Sequence, residues 1–504
     1  MKILLTTLNS KYIHSNLALK YLYAVCEDFH ECLYLQEFTI NNDNDYIYGE
    51  LIREGYDIIC FSCYIWNIER TLSLVDDIKK AKPNIITILG GPEVSFQPFD
   101  LMKNNKGIDF ILTGEGEESF PLLLEILSRE NWERMNTIKG LIYRQDGEIE
   151  VNPKGDPADF NQVPFPYKSL VSEADKIIYY ESTRGCPFSC SYCLSAADRG
   201  VRALPLDRVK QDLSYFIYKN VKQVKFVDRT FNYNKVRALE IFKYLINLDN
   251  GVTNFHFEIC ADLFDQEALD LLKNARPGLF QFEIGIQSTN KDTLKAINRS
   301  MDFSNLSANI ESLIESGNIH LHLDLIAGLP YEDYDSFKKS FNDVYALGAD
   351  YLQLGFLKLL KGTPIADQIE EHGYVFRTSP PYEVISNKYI SSEDLINLKM
   401  LERVFNLYYN RGGFQKSLEY CAYELCKSPF DFYEEFAHFY YLKGYQHKSH
   451  KREDLYRIFY QYGQWKDRFI SGAGIKLEEL LKQDLMQALT IKEINRFKRK
   501  RWEL

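Results

Sequence analysis

Arg184-Gly185-Cys186-Pro187-Phe188-Ser189-Cys190-Ser191-Tyr192-Cys193 sets three cysteines within eight residues, shortly after Ile177–Tyr180, a run that reads as a buried strand. The chain has ten cysteines in 504 residues, and independent placement would produce this spacing roughly 0.004 times. Three chance buried thiols are therefore a poor account. Zinc sites usually take four ligands, and no fourth stands nearby at a suitable spacing. Tightly spaced soft thiolates suit an iron–sulfur cluster instead. Three ligands on a four-iron cluster leave one iron open, able to chelate a substrate's amino and carboxylate groups and pass it an electron.

Outward from this stretch, six candidate strands follow one another at helix-plus-loop spacing: Ile177–Tyr180, Val224–Val227, Phe255–Ile259, Phe280–Gly285, His320–Ile326 and Tyr351–Phe356. That is the pattern of consecutive βα units in a partial or full barrel. Upstream, Ile3-Leu4-Leu5, Ile58-Ile59-Cys60-Phe61, Ile85–Leu89 and Phe110-Ile111-Leu112 predict buried parallel strands, with a helix through Leu72, Val75 and Ile78 that stops before Pro83. This is the signature of a doubly wound, Rossmann-like α/β domain whose ligand crevice lies at the carboxyl ends of the strands. Between the two regions, Gln145-Asp146-Gly147 predicts a hairpin turn, and Pro153, Pro157, Pro164 and Pro166 mark a linker. Beyond about residue 370 the strands stop, and Leu395–Tyr409 and Phe430–Leu442 have helical spacing. The expected division is 1–135, a linker over 136–175, a barrel over 176–368 and a helical domain over 369–504.

On these residues the chain resembles the radical S-adenosylmethionine (SAM) superfamily, in the branch that carries an N-terminal cobalamin-binding domain. The resemblance rests on Cys-x3-Cys-x2-Cys after the first barrel strand, and it implies a [4Fe-4S] cluster held by Cys186, Cys190 and Cys193. SAM would sit on the open iron, its reductive cleavage yielding a 5′-deoxyadenosyl radical, with Tyr192 at the position that meets the adenine. Further cofactor-binding positions are implied along the later strands. These are Asp228 in Val227-Asp228-Arg229-Thr230-Phe231-Asn232, Glu258 on strand three, Glu283 and Gln287 in Glu283-Ile284-Gly285-Ile286-Gln287-Ser288, and Asp324 in Asp324-Leu325-Ile326-Ala327-Gly328-Leu329-Pro330. Leu360-Lys361-Gly362-Thr363-Pro364 follows strand six. Taken singly, each polar residue also reads as a hydrogen-bonded barrel-rim group. Charged groups at the carboxyl ends of barrel strands usually belong to the site, however.

Gly90-Gly91-Pro92-Glu93-Val94-Ser95 and Thr113-Gly114-Glu115-Gly116-Glu117 resemble the cobalamin-binding loops of the same branch. The resemblance implies Gly90, Gly91, Glu93, Gly114, Glu115 and Gly116 as cobalamin contacts, with Ser62 and Cys63 beside the corrin. Paired glycines let backbone approach a large ligand closely. Cys60-Phe61-Ser62-Cys63 spans a strand and its loop rather than opening a helix, so it reads as buried reduced thiols and not as a redox pair. Many cobalamin proteins carry Asp-x-His-x-x-Gly after strand one. Here Asn9, Lys11 and His14 occupy those positions, so the expectation is cobalamin bound without a protein imidazole, and His14 reads as a surface or capping group. Related methylthiotransferases add cluster cysteines in this domain, a spacing that Cys26, Cys32, Cys60 and Cys63 do not show.

Hydrophobic residues at 45% and charged residues at 26% describe a globular chain, and the net charge of -11 argues against a nucleic acid partner. No apolar stretch reaches the roughly 20 residues of a membrane span. The start lacks the pattern of an export signal, so the expectation is a cytoplasmic protein with reduced thiols. Tyr440-Tyr441, His447, His450 and Arg452 read as core and surface of a helical cap, and the Lys498–Arg501 tail as a solvated helix end. The function implied by the resemblance is methylation of an unactivated carbon in a small-molecule or peptide substrate. One SAM would recharge the cobalamin and a second would supply the radical, with electrons from a flavodoxin or ferredoxin. Two alternatives stay open: rearrangement, cyclisation or oxidation with the same cofactors, and a non-enzymatic cobalamin or cluster sensor.

Overall fold

The computed structural model describes residues 1–168, 175–197 and 200–488. It forms two compact units, one of residues 1–281 with 358–367 and 377–383, the other of residues 282–357, 368–376 and 384 onward.

The first unit opens with a seven-stranded sheet. Its strands are β1 (Ile3–Asn9), β2 (Leu33–Thr39), β3 (Ile58–Ser62), β4 (Ile86–Gly90), β5 (Phe110–Leu112), β6 (Leu141–Gln145) and β7 (Glu148–Val151), in the order β2-β1-β3-β4-β5-β6-β7. The strands β1 to β5 are parallel. All seven residues of β1 are buried because both sheet faces are covered. Leu4, Leu8, Ile59 and Phe61 enter one core, and Ile3, Leu5, Ile58 and Cys60 the other. The hydroxyls of Thr6 and Thr7 donate to the carbonyls of Gln36 and Ser62, which is how these polar side chains are tolerated inside. The edge strand β2 has no continuous apolar run and leaves Tyr34 exposed, so apolar runs alone do not find it. The hairpin β6–β7 forms where Asp146-Gly147 predicts a turn, both residues having positive φ. It pairs antiparallel with β5 and extends the sheet rather than standing apart as a linker.

This order reverses between β1 and β3, which puts a ligand crevice at their carboxyl ends. The loops after β1, β3, β4 and β5 all leave that edge of the sheet.

The same unit then holds β8 (Ile178–Tyr180), a small antiparallel pair of β9 (Thr183–Arg184) and β10 (Arg202–Ala203), and β11 (Gln223–Phe226) and β12 (Asn254–Ile259). The three longer strands run parallel in the order β8-β11-β12, with helices Leu206–Tyr218 and Lys235–Asn247 between them.

The second unit carries β13 (Phe280–Gln287) from Phe282 onward, β14 (His320–Ala327) and β15 (Tyr351–Phe356), with helices Phe303–Ser316 and Tyr334–Tyr345 between them. A short antiparallel pair, β16 (Val375–Phe376) and β17 (Val384–Ser386), follows where the sequence suggests no further strand. The rest is helical, with Ser392–Phe405, Pro429–Leu442, Arg452–Lys466 and Ala473–Ala488 as its main helices. Its core explains much of the chain's tyrosine. Rings of Tyr408, Phe436, Phe459 and Tyr462 pack at centroid distances of 4.7–5.3 Å. Two of the buried hydroxyls have clear acceptors, Tyr408 on the Leu455 carbonyl and Tyr462 on Glu435. Tyr440 and His450 both bond the Tyr445 carbonyl and Arg452 that of Gly412, so these residues hold the cap together. The Lys498–Arg501 tail lies outside the described residues.

Candidate active site

The three cysteines lie on the loop that leaves β8 at its carboxyl end. Cys190 is buried, Cys186 and Cys193 are half-buried, and none is in a disulfide. The Cys193 amide donates to the Cys190 carbonyl at 3.1 Å, so these two share one turn, and Cys186 Sγ lies 3.6 Å from the Thr230 hydroxyl. Tyr192 is half-buried between them. Three free thiols on one short, partly open loop have the donor chemistry of an iron–sulfur cluster, although among the described residues no three His, Cys, Asp or Glu side chains stand gathered as a metal ion would need.

Two buried devices hold the approach to this loop. Asp228, completely buried just past β11, accepts from the Ser182 amide at 2.7 Å and the Ser182 hydroxyl at 2.5 Å. Burial raises the Asp228 carboxyl, against hydrogen bonds from Ser182 and Thr183. Its visible work is therefore to fix the strand end that feeds Gly185 and Cys186. The second device is Arg184, whose guanidinium stacks 4.5 Å from the Phe160 ring and meets three carboxylates. Glu181 accepts at 3.0 Å, Glu115 lies at 3.3 Å, and Glu117 also accepts. Glu115 is gripped in addition by Arg202 and by the Ala158 amide at 2.9 Å. Burial opposes ionisation of Glu115, but the Arg202 hydrogen bond and the two arginine charges outweigh it and hold this carboxyl low. Glu181 goes the other way: burial pushes it up to about 7 despite Arg184. The sequence displays Arg184 beside the cysteines and Glu181 three residues before it, but the other two carboxylates, Glu117 and Glu115, lie 67 and more residues away and have no local signature.

At the crevice of the first sheet, the glycines have different reasons. Gly91 (φ +106°) passes so close to the next loop that a Cβ would stand 2.6 Å from the Cys63 carbonyl oxygen. Gly90 would meet the Leu112 carbonyl at 3.7 Å, and Gly116 the Leu22 side chain at 3.0 Å. Gly114 (φ +79°) alone of this set faces open space, with nothing within 4 Å of a Cβ there. Tyr64 and Trp66 stack at 4.5 Å in the loop after β3, and Trp66 and Tyr12 are exposed. Open backbone at Gly114 and exposed aromatic side chains on other loops of this sheet edge suit a large, partly apolar ligand such as a corrin.

Around that crevice, Asn9 is buried and donates to Glu37 at 2.6 Å and to the His14 carbonyl at 3.2 Å, while Lys11 is exposed. His14 Nδ1 pairs with the Tyr179 hydroxyl at 2.6 Å. Burial first, then the charges of Lys11 and Lys225, hold its imidazole below the usual range. Ser62 is buried within 3.4 Å of Asn16, and Cys63 is buried with its thiol pushed up by burial and then by Glu93. Glu93 is buried and accepts from the Tyr382 hydroxyl at 2.7 Å.

Glu258 is half-buried on β12 in the first unit. In the second unit, Glu283 and Gln287 share one face of β13. A Cβ on Gly285 would stand 2.2 Å from Gln287 Nε2, so the glycine makes room for that amide to fold back over its own strand. On β14, His322 Nε2 lies 3.0 Å from Asp324 Oδ1, and His322 packs edge-on against Tyr351 at 4.4 Å. The composition gives no hint of that His322–Asp324–Tyr351 group; the alternation of β14 does, once the strand is known.

Known proteins match this arrangement segment by segment. Residues 3–124 match the B12 binding domain, residues 180–344 the radical SAM superfamily, and residues 370–503 a domain described as of unknown function. The chain thus carries a segment that matches the B12 binding domain ahead of one that matches the radical SAM superfamily. Among curated proteins, it is 26% identical over 356 residues to the cobalamin-dependent radical SAM methyltransferase TokK of Streptomyces tokunonensis, covering 64% of this chain and 50% of that one. The chain therefore spans about half the length of that relative. Among solved structures, the cobalamin-dependent SAM radical enzyme OxsB matches over 96% of this chain and 83% of its own, with TM-score 0.63 and 15% identity. The radical SAM methyltransferase TsrM of Kitasatospora setae matches over 76% of each chain, with TM-score 0.61 and 17% identity. These likenesses show a shared fold. Among the described residues no helix is long and apolar enough to cross a membrane.

Proposed function

We propose that this chain is a cobalamin-dependent radical SAM enzyme that methylates an unactivated carbon of a small-molecule or peptide substrate. The observation that carries the reading is the cysteine loop at the carboxyl end of β8, in a chain whose preceding sheet has its switch point between β1 and β3. The relatives named above, both the TokK and TsrM methyltransferases, support the reaction type. When bound, the cluster would supply the electron that cleaves SAM, and cobalamin would supply the transferable methyl group.

The chain's own residues supply the rest. Cys186, Cys190 and Cys193 hold the cluster and leave one iron for SAM. Tyr192 borders the adenine. Asp228 and Arg184 keep the loop's entry strand in place. Glu258, Glu283, Gln287 and Asp324 are the polar strand groups assigned to SAM, and the loops through Asn9, Lys11, His14, Ser62, Cys63, Gly90, Gly91, Glu93, Gly114, Glu115 and Gly116 are those assigned to the corrin. His14, held by Tyr179, is not given to cobalt. The protein works in the cytoplasm with a flavodoxin or ferredoxin as reductant, and its charge of -11 argues against a nucleic acid partner.

The test is product analysis of SAM after anaerobic reconstitution with reductant, with and without hydroxocobalamin. S-adenosylhomocysteine that depends on added cobalamin, beside 5′-deoxyadenosine, is the expected result. Formation of 5′-deoxyadenosine alone, with cobalamin bound but never methylated, would replace methylation by a rearrangement, cyclisation or oxidation. No SAM cleavage under any reductant would leave a sensor.

A further inference from the structure

Past β15 the chain makes an excursion. Residues 358–367 and 377–383 belong to the first unit, although the segments on either side of them belong to the second. Within that unit the two pieces form a strap: Lys358 and Glu383 are antiparallel bridge partners, and the Leu359 amide donates to the Tyr382 carbonyl at 3.0 Å. The strap reaches two loops that chain order keeps a hundred residues apart.

Its first contact is with the loop after β4. Tyr382, 6% exposed, donates its hydroxyl to Glu93, itself 8% exposed, at 2.7 Å. The Lys361 ammonium sits 5.4 Å from the Tyr382 ring on the strap's own side. Gly362, with φ +83°, meets Phe96 so closely that a Cβ would stand 2.0 Å from the ring. A left-handed backbone pressed on a ring edge accepts glycine and nothing larger. The second contact is with the cysteine loop: the Ile365 amide donates to the Ser191 carbonyl at 2.9 Å, and the Ile365 side chain is fully buried. Ser191 lies between Cys190 and Cys193.

We infer that this strap is a clamp that sets the β4 loop and the cysteine loop against each other, with Tyr382, Gly362 and Ile365 as positioning residues. Glu93 contributes a buried carboxylate oxygen that accepts the Tyr382 hydroxyl of the strap, so loss of that hydroxyl takes this donor away. Because the loops are the ones assigned above to the corrin and the cluster, the clamp's role in spacing two cofactors rests on the proposed function; the mechanical coupling does not.

Amide hydrogen exchange on the full-length chain without cofactors reads the coupling directly. In Tyr382→Phe, amides of 91–96 and of 190–193 should both exchange faster than in the wild type, by about tenfold for the loss of one buried hydrogen bond, while the helices after residue 392 do not change. Gly362→Ala should do the same more strongly, and Tyr382→Phe keeps the test sound if that variant does not fold. Wild-type exchange in either loop of Tyr382→Phe would overturn the clamp. With hydroxocobalamin and a reduced cluster, pulsed dipolar EPR between cob(II)alamin and the cluster should give a broader distance distribution in Tyr382→Phe than in the wild type. An unchanged distribution would remove the spacing role. A wild-type chain that binds no cobalamin, yet whose two loops loosen together in Tyr382→Phe, would sink the cobalamin reading and leave the clamp standing.

Discussion

Cys60-x-x-Cys63 and Cys190-x-x-Cys193 have the same spacing and opposite surroundings. The first pair lies along β3 and its end, where neighbouring side chains alternate between faces and a separation of three sends them apart. Cys60 enters one core of the sheet and Cys63 the other. Burial pushes both thiols up, far from the thiolate that redox or metal chemistry needs. The second pair lies on a loop whose turn is closed by the Cys193 amide on the Cys190 carbonyl, leaving Cys193 half-buried. Cysteine spacing has meaning only after the backbone that carries it is known.

The comparison breaks most sharply on mutation. Replacing any of Cys186, Cys190 or Cys193 by Ala should abolish 5′-deoxyadenosine formation and lower the iron bound per chain. Cys60→Ala should leave both intact and lower stability by about 1–2 kcal/mol, the usual result of trimming a buried side chain. Wild-type turnover in Cys190→Ala, or lost iron in Cys60→Ala, would each reverse the assignment.

A second contrast lies in how the two regions are held: apolar alternation fixes β3, whereas buried charge fixes the entry to the cysteine loop. Arg184→Met should therefore destabilise the first unit by about 3 kcal/mol, because it takes from Glu115, Glu117 and Glu181 the guanidinium they share and leaves Arg202 on Glu115. The urea midpoint measures this, and a loss below about 1 kcal/mol would make the network a surface ornament. A smaller effect follows from Glu181. Its carboxyl titrates near 7 in the folded chain against an ordinary value of 4.5, because burial penalises the charge. A raised acid contributes stability below its unfolded value and loses it as pH rises through the folded one. Wild type should lose on the order of 2 kcal/mol relative to Glu181→Gln between pH 4.5 and pH 8. Parallel stability profiles for the two chains would contradict that.

These contrasts also mark what was legible in the sequence. The strands β1, β3, β4, β5 and the six later ones declared themselves because each is a continuous or alternating apolar run. The edge strand β2 did not, since a strand covered less completely has no such run. The cysteine loop was legible from spacing plus its place after a strand. The glycine loops were legible as loops but not in their reasons: Gly91 is required by Cys63 and Gly285 by Gln287, and only Gly114 faces open space. The charged hub around Arg184 and the strap at Tyr382 were not legible at all. Both join residues far apart in the chain, and pairwise contacts of that kind leave no periodicity and no motif.

The smallest expected effect concerns His14, where an imidazole stands near the corrin crevice but three residues past the customary ligand position. Protonation is not what keeps it from a metal, because burial, Lys11 and Lys225 favour the neutral ring. Geometry is. The Ile177 amide donates to the Ile13 carbonyl at 2.8 Å and the Ser15 hydroxyl to the Ile177 carbonyl at 3.1 Å, so the backbone on both sides of His14 is pinned to the approach to β8. Its Nδ1 is then held by Tyr179 from that same strand. Lys11, at the ligand position itself, is an exposed ammonium with no lone pair to offer. The cob(II)alamin EPR spectrum of the reconstituted chain should therefore show no nitrogen superhyperfine coupling from a protein imidazole, and His14→Ala should leave it unchanged. Coupling that is present in the wild type and absent in His14→Ala would mean that the loop lets go of Tyr179 when cobalamin binds.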